Sequence, residues 1–357
     1  MAAPVGVLFT RGLSSVAQVV RGIRDEMVPG EFRVQASYHT AITPLAVTAE
    51  RLHLEPAQLD DAAYADWLVD LCAREGITIV WPQSRWRGLL RNAHRLRRDG
   101  LHWMLPVPDL ATFERLDNKQ TFLAYLAQAA PEIALPVHRP VVTSLGFREA
   151  YRELARDHEE PLCIKPARGI FGGGFRIIDA SRSPFDRWLD NDVQHASADE
   201  IARWLDLNKE QRVFLLMEYL PGPERSVDCL AEHGVLRAAV IRRKGTGRGQ
   251  LIEQRAATLD LARRLAGLFR LHGIFNFQTR ERADGRECLL EINPRPSGGI
   301  DLCRVAGVNL PLMALRSAVG SLPGDWQPTL DVGAYVALLE GGIRLVTGRE
   351  AGSRGAR

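Results

Sequence analysis

Short apolar runs alternate with amphipathic stretches along the first part of the chain. The runs have the length and composition of buried β-strands, whereas the stretches between them repeat apolar residues at helical spacing. Because alternating strands and helices favour a parallel sheet, residues 1–111 are predicted to form one α/β lobe. The predicted strands are 5–10, 32–38 and 77–81, and the predicted helices are 14–23, opened by Ser14 and Ser15, and 62–74.

A second, smaller lobe is predicted for residues 112–217. Two of its strands flank a glycine-rich loop, which indicates a β-hairpin with the loop at its tip. A later buried strand ends at Pro221-Gly222, and this turn is predicted to be a hinge. The predicted elements are a helix at 120–129 and strands at 161–165, 175–178 and 212–219.

A third lobe, predicted for residues 218–342, combines strand pairs with one amphipathic helix. Its second strand pair turns at Asp284-Gly285, a strong hairpin signal. Residues 343–357 contain too few apolar groups to pack and are predicted to be disordered. The predicted elements are strands at 226–231, 235–242, 274–280 and 287–292 and a helix at 259–271.

The composition is that of an ordinary folded protein: 46% of the 357 residues are hydrophobic and 25% are charged. The length exceeds one typical core, which favours two or three packed units. The 46 basic residues nearly cancel the 43 acidic ones, so net charge favours neither a nucleic acid nor a membrane as partner. Any basic site must therefore be local.

The five cysteines are scattered and never spaced as C-x-x-C, which argues against a disulfide framework and a zinc knuckle. Buried, reduced thiols are expected instead. No stretch approaches the roughly 18 uninterrupted apolar residues of a membrane span, and no basic leader precedes the first apolar run. A cytoplasmic protein is therefore expected.

The segment from Lys165 to Phe175 joins a cation at a strand end to a glycine-rich loop. Without Cβ atoms, the loop can bring backbone N–H groups close to phosphate oxygens, so it is a candidate phosphate cradle. It lacks G-x-x-x-x-G-K-[ST] and is not a P-loop. Glycine clusters at hairpin tips also serve turn geometry alone, so this motif leaves both interpretations open. Its glycines are Gly169, Gly172, Gly173 and Gly174.

Two weaker signals lie on either side of that loop. Lys119 begins a helix, where a lone lysine is ordinarily solvated. Glu218 to Leu220, with Glu224 behind them, offer carboxylates and strand-end backbone groups suited to an aminopurine and a ribose. A buried strand followed by an exposed turn explains the same residues equally well.

The strongest signal is Gln278 followed by Glu291, Asn293 and Arg295. Strand geometry places Glu291 and Asn293 on one face, and the hairpin turn can bring Gln278 alongside them. Mg²⁺ takes oxygen ligands and usually shares its shell with substrate phosphates, so this set beside a phosphate cradle indicates a magnesium site. Arg295 could then steady a transferring phosphoryl group.

Taken in order along residues 110–320, these elements resemble the ATP-grasp superfamily, and in particular carbamoyl-phosphate synthase and biotin carboxylase. The resemblance implies an α/β (α+β) fold with a Rossmann-like pre-ATP-grasp domain, a lid subdomain and a C-terminal catalytic sheet. It implies that Lys119 and Lys165 contact ATP phosphates, that Glu218 and the Leu220 backbone meet adenine, and that Glu224 holds the ribose. Gly169 to Gly174 would close over the phosphates.

The resemblance also implies Gln278, Glu291 and Asn293 as ligands for Mg²⁺, with Mn²⁺ as an alternative, and Arg295 as a phosphate or intermediate contact. Many relatives have Asp or Glu in place of Gln278, so the number of metal ions stays open. The run from Asn293 to Gly299 is intact, which favours an active enzyme.

The implied reaction is carboxylate–amine ligation, in which a carboxylate attacks the γ-phosphoryl group and an amine or other nucleophile displaces phosphate. A phosphotransferase and a non-catalytic ATP-binding regulator remain alternatives. Small-molecule substrates are the expected partners, and a homodimer is compatible with the resemblance. Arg242 to Gly249 form a cationic loop, and Arg243 is hypothesised to meet an anionic substrate or phosphate, the alternative being a flexible basic surface loop.

Overall fold

The computed structural model of the chain describes residues 3–13, 15–158, 161–169, 172–245, 247, 249–339 and 345. Ser14 and, apart from Leu345, the tail predicted to be disordered lie outside these residues. The chain divides into two compact units. The first contains residues 1–113, 226–276 and 293–357, and the second contains residues 114–225 and 277–292.

The first unit begins with a five-stranded sheet in the order β3-β2-β1-β4-β5. All its strand pairs are parallel, which confirms the predicted α/β lobe. The strands are β1 (Val5–Phe9), β2 (Phe32–Tyr38), β3 (Arg51–Leu54), β4 (Ile79–Trp81) and β5 (His102–Trp103). The helices along this stretch are α1 (Val16–Glu26), α2 (Leu45–Thr48), α3 (Asp61–Glu75), α4 (Trp86–Arg91) and α5 (Leu110–Asp117).

Helices cover both faces of this sheet because successive residues of a strand point to opposite sides. Val7 and Phe9 enter the core that includes Val20 and Ile23 of α1. Leu8 enters a second core with α3 residues. The third predicted strand is the fourth in the structure, because the four-residue β3 is too short to stand out in the sequence. The two-residue β5 was missed for the same reason.

The second unit is built on a five-stranded sheet in the order β6-β10-β7-β8-β9. Its strands β7 and β8 are antiparallel, with Cys163 opposite Ile177, which confirms the predicted hairpin. The strands are β6 (His138–Val141), β7 (Leu162–Pro166), β8 (Arg176–Ile178), β9 (His195–Ala196) and β10 (Phe214–Glu218). The helices are α6 (Lys119–Ala129), α7 (Ser144–Asp157), α8 (Pro184–Leu189) and α9 (Ala198–Asp206).

One face of this second sheet is covered by α7 and α9, whose apolar residues meet Ile164 and Leu216 in a core. The alternate residues of β7, Cys163 and Lys165, therefore point to the other face. Ser197 caps the start of α9. Its Oγ accepts a hydrogen bond from Glu200 N at 3.2 Å, and its own backbone N–H donates to Glu200 Oε2 at 2.8 Å.

A third sheet has the order β15-β14-β11-β12-β13-β16, and β11, β14 and β15 contribute residues to both units. Its strands are β11 (Glu224–Glu232), β12 (Val235–Lys244), β13 (Gln250–Glu253), β14 (Gly273–Glu281), β15 (Glu287–Asn293) and β16 (Tyr335–Val336). The helices are α10 (Ala256–Leu268), α11 (Asp301–Val305) and α12 (Leu310–Ala318). Among the described residues, no helix is long and apolar enough to cross a membrane.

The turn from β11 to β12 consists of His233 and Gly234, and both have positive φ, at 47° and 92°. This is the backbone of a two-residue hairpin turn, in which glycine removes the steric cost at one position. The turn lies near the end of α10, since Gly234 N donates to Leu271 O at 2.7 Å.

Three histidines of the first unit gather at this turn. The rings of His233 and His272 stack at 4.3 Å, and His102 of β5 lies edge-on to His272 at 5.9 Å. Burial, then His233 and His102, lower the pKa of His272 from 6.5 to about 4, and Glu232 opposes the shift. His272 is therefore neutral at neutral pH.

The first unit is expected to lose stability as pH falls from about 6.5 to about 4. In the unfolded chain His272 binds a proton as the pH falls below about 6.5, whereas in the folded protein it does so only near pH 4. Protonation therefore favours the unfolded chain in this range, and the free energy of unfolding decreases as the pH falls from 6.5 to 4. Allowing for partial solvent screening, we expect a loss of about 1–2 kcal/mol. Thermal melts at pH 7 and pH 5 measure this loss.

His272→Gln should reduce the change in melting temperature between the two pH values, whereas His94→Gln, at an exposed position, should not. The same change in both variants would show that His272 is not the group responsible.

Candidate functional site

Lys119 is the first residue of α6 and is held by its backbone as well as its side chain. Its N–H donates to Ala167 O at 2.8 Å, and the Asn118 side chain caps the helix through Gln120 N. The ammonium group donates to Gly169 O at 3.1 Å and lies 3.3 Å from Glu291 Oε2. The structure thus brings three predicted site residues together within the second unit.

Lys165 belongs to the same group of charges. It lies on β7 opposite Leu215 and is partly buried. Burial and the charge of Lys119 lower the pKa of Lys165, whereas Glu291 and Glu224 act to raise it. Lys119, Lys165, Glu224 and Glu291 are called the lysine–glutamate cluster below; they provide two cations where phosphates are predicted to bind.

The predicted glycine-rich loop follows β7, and its described part needs glycine at two points. Gly172 and Gly174 have φ of 66° and 78°, in the left-handed region that other residues rarely adopt. A Cβ on Gly174 would lie 2.8 Å from Pro166 Cγ, whereas one on Gly172 would meet none of the described atoms within 4 Å. Gly169 and Gly173 complete the predicted set, and a Cβ on Gly169 would lie 3.9 Å from Gly173 O.

Gly174→Ala is expected to destabilise the second unit more than Gly172→Ala. Both variants force an L-residue into a left-handed conformation, which costs about 1–2 kcal/mol. Only alanine at 174 also collides with Pro166, which adds about 1 kcal/mol or more. Chemical denaturation of both variants measures the difference, and equal losses would show that the loop relieves the collision freely.

The Glu218 carboxylate is bonded to two other segments of the second unit, at Val137 and Arg282. That carboxylate accepts hydrogen bonds from Val137 N at 2.7 Å and from Arg282 Nη2 at 2.6 Å and Nε at 3.1 Å. Burial acts to raise the pKa of Glu218, but the bonds from Arg282 and Val137 outweigh it and lower the pKa. The predicted contact of Glu218 and the buried Leu220 with adenine stays a prediction.

Arg280 of β14 connects the predicted hinge to the predicted ribose carboxylate. Its Nη2 donates to Tyr219 Oη at 2.9 Å and its Nε to Gly222 O at 3.1 Å, and the guanidinium carbon lies 4.9 Å from the centre of the Tyr219 ring. Arg280 Nη1 also lies 3.9 Å from Glu224 Oε2. Neither Arg280 nor Arg282 was predicted as a site residue, although two arginines at alternate positions at the end of a strand were an available signal.

Gln278, Asn293 and Arg295, the remaining residues of the predicted metal and phosphate site, lie on or just after strands β14 and β15. Gln278 is a partly exposed residue of β14, the neighbour of β15 in the sheet. Asn293, in the first unit, ends β15, and its Oδ1 accepts from Arg295 Nη2 at 3.0 Å. This bond gives the Arg295 guanidinium a fixed partner in the same short segment, so both side chains are oriented together.

Arg243, predicted to contact a substrate, is paired within the protein, with its Nε 2.8 Å from Glu253 Oε1. Its neighbour Arg242 is buried and donates to Asp228 Oδ2 at 2.5 Å and to Ser297 Oγ at 2.9 Å. Arg242 also donates to Gln250. Arg242 and Arg243 therefore lie on β12, paired with β13, and not in the predicted cationic loop. Arg242 is structural, and the substrate contact of Arg243 stays a prediction.

Similar solved structures include N5-carboxyaminoimidazole ribonucleotide synthetase in complex with ADP, at 14% identity and a TM-score of 0.66, covering 94% of this chain and 81% of that one. The L-amino acid ligase from Bacillus licheniformis matches at 15% identity and a TM-score of 0.60, covering 92% and 78%. A biotin carboxylase domain from Hydrogenobacter thermophilus, in complex with MgADP and bicarbonate, matches at 15% identity and a TM-score of 0.62, covering 90% and 70%.

A family model described as ATP-grasp in the biosynthetic pathway with Ter operon matches residues 210–340. The chain has the ATP-grasp fold. No curated protein sequence matches it. The predicted fold is therefore confirmed, whereas the predicted domain bounds and the roles of individual residues stay predictions.

The donors of the predicted metal set decide which ion they could hold. Among the described residues, no three His, Cys, Asp or Glu side chains gather to hold a metal ion. The predicted set offers one carboxylate, Glu291, with the amide oxygens of Gln278 and Asn293. Such a set suits Mg²⁺ only when phosphate oxygens complete the shell, which is the usual arrangement for this ion.

Proposed function

We propose that the chain is an ATP-dependent carboxylate–amine ligase. The observation that carries the proposal is the lysine–glutamate cluster beside the glycine-rich loop: Lys119 contacts both Gly169 O and Glu291. This places cations, loop backbone and the predicted metal carboxylate within one group. The ATP-grasp fold supports the proposal, as do the similar structures named as ligase, synthetase and carboxylase.

In the proposed reaction, a substrate carboxylate oxygen attacks the γ-phosphorus of ATP and the bond to the ADP oxygen breaks. The amine nitrogen then attacks the acyl carbon, inorganic phosphate leaves, and the nitrogen loses a proton. Lys119 and Lys165 would hold the phosphates, and the loop from Gly169 to Gly174 would exclude water that otherwise hydrolyses the acyl phosphate. Mg²⁺, held by Glu291 with Gln278 and Asn293, would neutralise charge on the transferring group.

The remaining assignments belong to the same proposal. We place nucleotide-base recognition on Glu218 and the Leu220 backbone and ribose recognition on Glu224, which lies beside Arg280. Arg295 would contact the transferring phosphate and Arg243 an anionic substrate. Residues 1–111, 112–217 and 218–342 would act as the pre-ATP-grasp, lid and catalytic parts. Cytoplasmic location and a homodimer stay predictions.

The test measures ADP and phosphate release from ATP and Mg²⁺ with pooled carboxylates and amines, each pool also omitted in turn. A ligase requires both pools and gives an amide product. Release with the carboxylate pool alone and a stable phosphorylated product would favour a phosphotransferase. Tight ATP binding without turnover in any pool would contradict the ligase and favour a regulatory protein.

A further inference from the structure

A pocket in the second unit lies on the side of the sheet that α9 covers. Its volume is about 450 Å³, within the roughly 300–1,000 Å³ of small-molecule sites. Strands β7 and β10 contribute Ile164 and Phe214 to its lining, and α9 contributes Ile201 and Leu205. Lys165, the neighbour of Ile164 on β7, points to the opposite face of the sheet. The pocket is therefore separate from the lysine–glutamate cluster.

The charged side chains around this pocket are mostly cations. Among the described residues that line it, the cations are Arg176, Lys209 and Arg212, and the one carboxylate is Glu210. Arg212 and Glu210 pair with each other at 2.6 Å, so together they contribute little net charge. Within the described part of the chain, neither Arg176 nor Lys209 has a carboxylate partner. The pocket accordingly carries a net positive charge and favours an anionic ligand.

Trp204 places an aromatic face beside these cations. Its side chain is 48% exposed, and the guanidinium carbon of Arg176 lies 5.8 Å from the centre of the Trp204 ring. The preceding residue holds this guanidinium, since Arg176 Nη1 donates to Phe175 O at 2.6 Å. A flat apolar group can stack on the indole while an anion attached to it pairs with the guanidinium. The arrangement therefore suits a ligand that has both features.

The segment 207–212, which forms part of the lining, is fixed by the side chain of Asn208. Its Nδ2 donates to Val142 O at 3.0 Å and to Arg212 O at 2.8 Å, and its Oδ1 accepts from Arg212 N at 3.0 Å. These bonds hold the chain that follows α9 against the residue that follows β6. The pocket is thus formed before any ligand binds, which lowers the conformational cost of binding.

We propose that this pocket is a second ligand site, which binds a small organic anion with a flat apolar body. The proposal goes beyond the proposed function, because it requires no reaction at the lysine–glutamate cluster. Gly174, in the glycine-rich loop, also lines the pocket. A ligand that fills the pocket would therefore contact this loop as well as the sheet, on the face opposite Lys165. The nucleotide and the second ligand would share the loop without sharing a site.

The experiment titrates 2-naphthoate into the whole protein by isothermal titration calorimetry, with 2-naphthamide as an uncharged probe of the same shape. Both titrations contain a saturating non-hydrolysable ATP analogue and Mg²⁺, so that the candidate nucleotide site is not available to the probes. The wild type should bind 2-naphthoate at least about tenfold more tightly than 2-naphthamide, because only the carboxylate pairs with the cations. Arg176→Met should lower the affinity for 2-naphthoate by about tenfold and that for 2-naphthamide by less than about twofold. Trp204→Leu should weaken the binding of both probes.

Two substitutions elsewhere in the second unit are the matched controls. Arg156→Met, at an exposed arginine of α7, and Trp188→Leu, at a tryptophan of α8 that is 71% exposed, should bind both probes as the wild type does. Thermal melting checks that each variant is folded, and the comparison of the two probes on the wild type needs no variant.

Three results would overturn the proposal. The first is that the wild type fails to bind 2-naphthoate or binds both probes equally well. The second is that Arg176→Met binds 2-naphthoate as tightly as Arg156→Met does. The third is that 2-naphthoate binds only when the ATP analogue is omitted, which would place it in the nucleotide site. None of these results bears on the proposed function, since no titration involves turnover.

Discussion

Glu291→Gln is expected to lower ATP-dependent ADP release by about 10²–10³-fold while the protein remains folded. Glutamine preserves the size of the side chain and one oxygen ligand but removes the charge that a magnesium site needs. The side chain is 22% exposed, so the substitution creates no buried cavity. Initial rates at saturating ATP and Mg²⁺ measure the effect, with thermal melting as the check on folding.

Asp284→Asn is the matched control for this substitution. Asp284 lies at the tip of the same hairpin, where it pairs with Arg286, and is 48% exposed. Removing its charge should change the rate by less than about twofold, because exposed ion pairs contribute little. A Glu291→Gln enzyme with the wild-type rate would exclude Glu291 as a required metal ligand.

Arg242→Met is expected to destabilise the first unit by about 3–5 kcal/mol. Arg242 and Asp228 are 2% and 0% exposed, so truncation leaves a buried carboxylate without its main counter-charge. Burial opposes the charged form of Arg242, yet Asp228 outweighs it and raises the pKa of Arg242. Asn276 and Ser297 also donate to Asp228, at 3.1 Å each, but they are neutral and cannot replace the cation.

Chemical denaturation of three variants separates charge from packing at this site. Arg243→Met removes the neighbouring arginine, which is 35% exposed, and should cost less than about 1 kcal/mol. The double variant Arg242→Met with Asp228→Leu removes both buried charges and should recover much of the loss. Equal losses for Arg242→Met and Arg243→Met would show that the buried pair has no special energetic role.

The elements that the sequence predicted well are those with long, periodic patterns. Strand β2 has its predicted bounds, and α6 begins one residue before its predicted start, where Asn118 caps it. The helix predicted at 259–271 forms at Ala256–Leu268. Strands of two residues, such as β5 and β9, were missed because their pairing depends on neighbouring strands rather than on a local pattern.

In the candidate site, too, some residues could be predicted from the sequence and others could not. The glycine-rich loop, its two lysines and the Glu291 strand could be selected from the sequence, because each carries a short motif with a chemical reason. Their separation along the chain concealed the Lys119–Glu291 contact, which no local pattern encodes. Arg280 and Arg282 were missed for the same reason, since their partners Tyr219 and Glu218 lie about 60 positions earlier, at or just after the end of β10.

The sequence by itself therefore determined the succession of elements, the hairpin that carries the glycine-rich loop and the residue types available for phosphate and metal, because hydrophobic period and turn chemistry act locally. Only the tertiary structure decided which charges compensate one another. Arg242 and Arg243 are equivalent in sequence, but adjacent strand residues point to opposite faces. Arg242 is therefore buried against Asp228, whereas Arg243 is partly exposed and pairs with Glu253.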